Sequence, residues 1–179
     1  MMSHRLFIGI RPPLEVREML IDTMEALDGA RWQDDEQLHL TLRFIGEVER
    51  PVADDLAAAL ADIAWPSFEL TLEGVSHFEH RGIATAIWVR VLPARELNGL
   101  RAKIERASDL VGLGRETRRF TPHITIARLP RRAGPLLPWL ARRAGLRATW
   151  QADGFTLFES HLLASGAHYD AAAFYPLRG

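Results

Sequence analysis

Apolar residues along this chain recur with two periods, one suited to strands and one to helices. Leu6, Phe7, Ile8 and Ile10 form a short apolar run halted by Pro12-Pro13, which predicts a buried first strand. Val16, Met19, Leu20, Met24 and Leu27 then recur at helical spacing, so a helix is predicted to open at Pro13 and stop at Gly29. Leu38 to Val48 alternates and is bounded by Gly46, the mark of a strand. Pro51 opens a second helix through Leu56, Leu60 and Ile63, with Asp54 and Asp55 near its positive N-terminal end and Pro66 beyond its stop.

Phe68–Leu72 and Ile83–Leu92 carry β-rich or alternating patterns, and the polar segment Ser76–Gly82 between them predicts the tip of a long hairpin. After Pro93, Leu97, Leu100, Ile104, Ala107 and Val111 fall on one stripe that Gly112 ends, the best-marked helix of the chain. Pro122 to Leu129 reads as a strand, and Pro135 to Arg143 as a short helix. Trp150–Leu163 and His168–Leu177 read as two strands joined by a turn at Ser165-Gly166. Hairpins outnumber βαβ units, so the class is α+β with antiparallel or mixed sheets.

Composition then narrows the chemistry. The 179 residues contain no cysteine, which excludes thiolate nucleophiles, Cys-ligated zinc, iron–sulfur clusters and disulfides, and points to a reducing, cytoplasmic setting. No apolar stretch approaches the ~20 residues that span a bilayer, so no membrane partner is expected. The net charge of −1 conceals an asymmetry: residues 1–89 hold 7 Arg against 16 acidic residues, whereas residues 90–179 hold 15 basic against 7 acidic. Such a dipole can offer a basic face to a polyanion. Arginine supplies nearly all of the positive charge, a planar fork suited to phosphate, although a GC-rich genome gives the same bias.

Two segments resemble each other: His39-Leu40-Thr41-Leu42 and His123-Ile124-Thr125-Ile126, with their histidines 84 residues apart, close to half the chain. This spacing suggests an internal duplication. Side chains alternate faces along a strand, so each segment puts its His and Thr on one face and its aliphatic pair on the other. One His-x-Thr is commonly a satisfied polar pair at a strand edge; two copies at equivalent places imply a shared cleft. Imidazole titrates near neutrality, so one histidine can hold a proton while the other accepts one. Threonine hydroxyls can donate to phosphoryl oxygens as charge develops. The pattern suits in-line attack at phosphorus, and neither His-Glu-x-x-His nor a carboxylate cluster signals a metal, so no metal and no cofactor are expected.

His39-Leu40-Thr41-Leu42-Arg43-Phe44-Ile45-Gly46-Glu47 and Pro122-His123-Ile124-Thr125-Ile126-Ala127-Arg128 resemble the paired signatures of the two-histidine (2H) phosphoesterases, in particular the bacterial and archaeal RNA 2′,3′-cyclic phosphodiesterases named for 2′-5′ RNA ligase activity. The resemblance extends to Arg5–Ile10, Leu157–Ser160, Tyr169 and Phe174–Leu177. It implies one domain over residues 1–179 with two pseudo-symmetric lobes, one motif in each (39–42 and 123–126), and a central cleft. It further implies hydrolysis of a 2′,3′-cyclic phosphate on RNA or an oligonucleotide to a 2′-phosphomonoester. His39 would be the proton donor and His123 the proton acceptor, with Thr41 and Thr125 beside them; the residues themselves leave those two roles exchangeable. Alternatives are 2′-5′ ligation, the reverse of attack on a cyclic phosphate, and a non-catalytic module binding RNA ends. No obligatory protein partner is inferred.

Three further residues are candidates for binding substrate. Arg128 follows the second motif, yet strict alternation turns it away from His123 unless a bulge intervenes. Arg43 shares the alternation face of His39 and Thr41 and is expected at the cleft mouth, with a structural ion pair as the other possibility. Phe7 either stacks a base or belongs to the core. Arg115, Arg118 and Arg119 precede the second motif as a basic patch that could attract RNA phosphates. His77, His80, His161 and His168 are expected in loops or at strand edges.

Overall fold

The computed structural model describes residues 3–131 and 133–178. Fourteen elements follow in order: β1 (Ser3–Ile10), α1 (Leu14–Asp22), β2 (Arg31–Trp32), a 3-10 turn (Asp35–Gln37), β3 (Leu40–Glu49), α2 (Arg50–Ala61), β4 (Phe68–His80), β5 (Ile83–Leu92), α3 (Ala94–Leu110), β6 (His123–Arg128), α4 (Leu136–Arg142), β7 (Arg147–Ala152), β8 (Gly154–Leu163) and β9 (Gly166–Pro176). The strands form one sheet in the order β7-β4-β5-β6-β3-β1-β8-β9, with β2 added to β6. Every pairing is antiparallel. No helix among the described residues is long and apolar enough to cross a membrane.

The sheet has two halves, β7-β4-β5-β6 and β3-β1-β8-β9, that touch at the single ladder pair Leu40↔Ile124. Both residues are the aliphatic second position of a His-x-Thr segment, so the two motifs meet where the halves meet. Two helices cross between halves: α1 leaves β1 yet lies beside β7, and α3 leaves β5 yet packs on β3 and α2. Leu40, Leu42, Ile124 and Ile126 are all at most 2% exposed and join one hydrophobic core with Leu97, Leu100 and Ile104 of α3. Each such side chain contributes roughly 1.5–3 kcal/mol by leaving water. The aliphatic half of the motif pattern thus anchors the strands and fixes which face carries the His and Thr.

Register shifts at matching places bend that pattern. On β3, Ile8↔Arg43 is followed by Gly9↔Thr41, which skips Leu42. On β6, Ile87↔Ala127 is followed by Trp88↔Thr125, which skips Ile126. An extra residue in one strand reverses the alternation beyond it. Arg43 therefore departs from strict alternation and lies only 5% exposed against α3, at the border of the cleft. Its guanidinium bonds Glu105 and donates to the carbonyls of Leu113 (3.0 Å) and Gly114 (2.5 Å). The same reversal brings Phe44 and Arg128 onto the cleft face, so Arg128 takes the inward orientation that only a bulge allows.

Three element boundaries differ from the sequence pattern. α1 stops at Asp22 because the Thr23 hydroxyl takes the Leu20 carbonyl (2.6 Å), and Ala26 has a left-handed φ of 55°. Leu27 still enters the core, from a loop, at 7% exposure. The β4–β5 hairpin turns on Arg81 and Gly82 alone, both with positive φ (52° and 75°), so Ser76–His80 is strand rather than tip. The stretch Trp150–Leu163 is two strands in opposite halves, β7 and β8, broken at Asp153. Gly154 permits that crossing: a Cβ there would lie 2.1 Å from the Phe174 ring and 2.9 Å from the Tyr175 carbonyl oxygen.

Candidate active site

Both motif histidines are held in the same way. The His39 Nδ1 lies 2.7 Å from the Gln37 carbonyl and the His123 Nδ1 lies 2.6 Å from the Thr121 carbonyl, each two residues upstream. A carbonyl can only accept, so each neutral imidazole carries its hydrogen on Nδ1 and presents an unprotonated Nε2. The Thr41 hydroxyl donates to His39 Nε2 across 2.9 Å. Gln37 itself is fixed from two sides: Asp34 caps the 3-10 turn through Gln37 N (3.0 Å), and the Gln37 amide donates to the Ala167 carbonyl of β9 (2.9 Å).

Aromatic rings wall each imidazole. Phe7 stacks on Phe158 (4.9 Å between centroids) and lies 4.8 Å from the His39 ring, with Tyr169 edge-on to His39 at 5.2 Å. Phe78 stands edge-on to His123 at 4.9 Å, with Trp88 at 5.7 Å. Burial behind these rings pushes the His39 pKa from 6.5 down to about 4; the Gln37 carbonyl opposes the shift, and the charges of His123 and Arg128 add to it. His123 is lowered as well, by burial and by Arg128, against the Thr121 carbonyl. Both imidazoles are thus neutral at pH 7, and Arg128 acts electrostatically on the two together.

Two cavities open on the cleft face and share Phe44 and Arg118. One, of about 210 Å³, is bordered by Thr41, Phe78, Arg119, Phe120 and His123. The other, of about 440 Å³, is bordered by Arg5, Phe7, Arg128, Ser160 and Tyr169. Phe44, 56% exposed, stands between them. A larger hollow of about 650 Å³ lies over α3, but it touches neither histidine. Its Glu105 and Asp109 are paired with Arg43 and Arg115.

Of the sequence candidates, Thr41, Arg43 and His123 border the smaller cavity and Phe7 and Arg128 the other; His39 sits against Thr41, Phe7 and Tyr169, and Thr125 lies on β6 opposite Trp88. Phe7 is 3% exposed and forms the wall behind His39 rather than a free stacking face. Arg43 borders the smaller cavity, but its guanidinium is tied up by Glu105 and the carbonyls of Leu113 and Gly114. The basic patch is partly neutralised, since Arg118 pairs with Glu116 (2.6 Å) and Arg115 with Asp109 (3.4 Å). His77, His80, His161 and His168 lie on strands β4, β8 and β9. Tyr169, Phe78, Arg5 and Phe44 enter the site although single-strand patterning gave them no role; the cross-strand register that gathers them has no local signature. Among the described residues no group of three or more His, Asp or Glu side chains is arranged to hold a metal ion.

The family model of the 2′-5′ RNA ligase superfamily matches residues 12–162. The RNA 2′,3′-cyclic phosphodiesterase of Thermus thermophilus is 34% identical, over 98% of this chain and 91% of that protein. That of Aeropyrum pernix is 39% identical over 63% of this chain and 65% of its own length. A Geobacillus stearothermophilus relative is 30% identical over 88% of this chain, and the match spans 51% of that protein. The crystal structure of apo Escherichia coli LigT superposes with a TM-score of 0.79 at 25% identity, covering 99% of each chain. A solved Thermus thermophilus protein superposes at 0.74 with 29% identity over 98% of each chain. With this architecture, the duplicated His-x-Thr strands and a family match over most of its length, the chain belongs to the 2′-5′ RNA ligase superfamily.

Proposed function

We propose that this protein is an RNA 2′,3′-cyclic phosphodiesterase that forms a 2′-phosphomonoester by acid–base catalysis between His39 and His123, without a metal ion. The observation that carries the reading is the pair of imidazoles, each fixed by a backbone carbonyl with Nε2 free of its ring proton, on the two strands that meet at Leu40↔Ile124. A water molecule attacks phosphorus and gives its proton to His123 Nε2. His39, which takes up a proton at Nε2 when the anionic substrate binds, gives that proton to O3′ as the P–O3′ bond breaks, and the phosphate stays on O2′.

The unequal environments suit unequal roles. His123 borders an open cavity through which water can arrive. His39, the more strongly depressed, gains most when an anionic phosphodiester is brought against it in a low-dielectric wall of rings, because the anion favours the imidazolium. Its low intrinsic basicity then makes it a ready donor to the departing oxygen. Arg128 balances the phosphate charge, and Thr41 and Thr125 supply neutral hydrogen bonds to phosphoryl oxygens.

The test is incubation of a short RNA ending in a 2′,3′-cyclic phosphate, with and without EDTA, followed by identification of the monoester. Formation of the 2′-monoester in both supports the scheme. A 3′-monoester, or activity abolished by EDTA and restored by a divalent ion, overturns it.

A further inference from the structure

The larger cavity carries more positive and hydrogen-bonding equipment than a single cyclic phosphate uses. On β1, Arg5, Phe7 and Gly9 point to the cleft face, whereas Leu6, Ile8 and Ile10 enter the core. Phe7 pairs with Phe158 and Leu6 with Glu159, which continues the register to Arg5 beside Ser160. Ser160 in turn pairs with Tyr169 on β9. Arg5, Ser160 and Tyr169 therefore form a polar row across β1, β8 and β9, all bordering the same cavity. The row lies two residues along β1 from Phe7, about 6.6 Å at the usual strand rise.

Charge separates Arg5 from the reacting centre, while Tyr169 adjoins both. Arg128 acts on His39, His123 and Tyr169, whereas Arg5 acts on Tyr169 and is not among the charges that move either histidine. Glu47 lies opposite Arg5 in the β1–β3 ladder, yet the two form no ion pair. Among the described residues Arg5 has no acidic partner, while Arg118 at the same cavity is bonded to Glu116. The guanidinium is thus left facing open space beyond the histidines, with two hydroxyl groups in line with it.

We propose that Arg5, Ser160 and Tyr169 bind the phosphodiester that joins the terminal nucleotide to its neighbour, so the site takes an oligonucleotide end rather than a lone cyclic nucleotide. This rests on the phosphodiesterase reading above. Arg5 holds the phosphate by a charge-assisted fork, Ser160 and Tyr169 donate to its oxygens, and the strand leaves along the β1–β8–β9 side instead of past Arg119 and Phe78.

The experiment compares kcat/KM for a mononucleotide 2′,3′-cyclic phosphate with that for the dinucleotide ending in the same group. The unmodified protein should favour the dinucleotide about tenfold or more, the scale of one hydrogen bond to a charged group. Arg5→Gln should collapse that ratio toward one, mainly through KM, and Tyr169→Phe should reduce it in part. A dinucleotide with a neutral methylphosphonate linkage should lose the same advantage on the unmodified protein and lose nothing further on Arg5→Gln. An unchanged ratio in Arg5→Gln, a methylphosphonate turned over like the phosphodiester, or a ratio lost in Arg119→Gln instead overturns the subsite. No turnover of either substrate by the unmodified protein would refute the phosphodiesterase reading itself.

Discussion

Acidification should destabilise this protein through His39 in an amount the structure sets. The folded state holds the His39 pKa at about 4 against 6.5 for an exposed imidazole. A depressed pKa means that the stabilisation is fully present above 6.5 and is lost as pH falls from 6.5 through 4, since the unfolded chain takes up the proton first. Between pH 7 and pH 4.5 the loss from this group amounts to about 2 kcal/mol. Other groups titrate in the same range: Arg118 holds the Glu116 carboxyl down to about 2, and Arg17 lowers Asp35. They contribute equally to both members of a comparison with His39→Gln. Urea unfolding at pH 7 and pH 4.5 should therefore show a loss about 2 kcal/mol smaller in His39→Gln than in the unmodified protein. Equal losses in the two proteins would show that His39 is not buried neutral and would remove the argument that its walls tune it.

Other outcomes follow from the same geometry. His39→Ala and His123→Ala should each lower cyclic phosphate hydrolysis by ~100-fold or more, while circular dichroism shows a folded protein. The pH profile of kcat/KM should be a bell displaced to the acid side of 6.5, between the lowered values of the two imidazoles, and the alkaline limb of kcat should move upward because bound anion raises His39. Arg43→Met should cost about 1–3 kcal/mol in urea unfolding, because the Leu113 and Gly114 carbonyls lose their donor while Glu105 keeps Arg101; a change confined to KM would make Arg43 a substrate contact instead.

Much of the fold was legible where a local rule governs. Periodicity located β1, β3, α2, α3, β6 and α4, because each buries one apolar face and is stopped by proline, glycine or a turn. The His-x-Thr pairs were legible because alternation binds the polar residues to the fate of Leu40, Leu42, Ile124 and Ile126. What escaped depends on partners distant in sequence. The skipped Leu42 and Ile126 reverse alternation without any marker residue, which hides the burial of the Arg43 guanidinium and the way Arg128 comes inward. The break between β7 and β8 reads as continuous strand, since only the packing of Phe174 and Tyr175 against Gly154 reveals it. Charge counts were least informative: the half of the chain rich in arginine spends Arg115 and Arg118 on its own carboxylates, while Arg5, from the acidic half, reaches the cavity unpaired.

The two halves repeat the same chemical group but not the same surroundings, and the differences fall at equivalent positions. Opposite the motif threonine, β1 has Gly9 and β5 has Trp88. A Cβ at Gly9 would lie 2.7 Å from the Leu40 carbonyl oxygen, so only glycine lets β1 approach the β3 backbone this closely beside His39. Just beyond the matching bulges stand Phe44 in one half and Arg128 in the other, an exposed ring against a cation. Perfect symmetry would leave two imidazoles of equal pKa with no reason for a proton to leave one and arrive at the other. Burial behind the Phe7–Phe158–Tyr169 wall lowers His39, and the Arg128 charge lowers both imidazoles. The two motifs supply matching histidines; the unmatched residues around them give those histidines unequal surroundings.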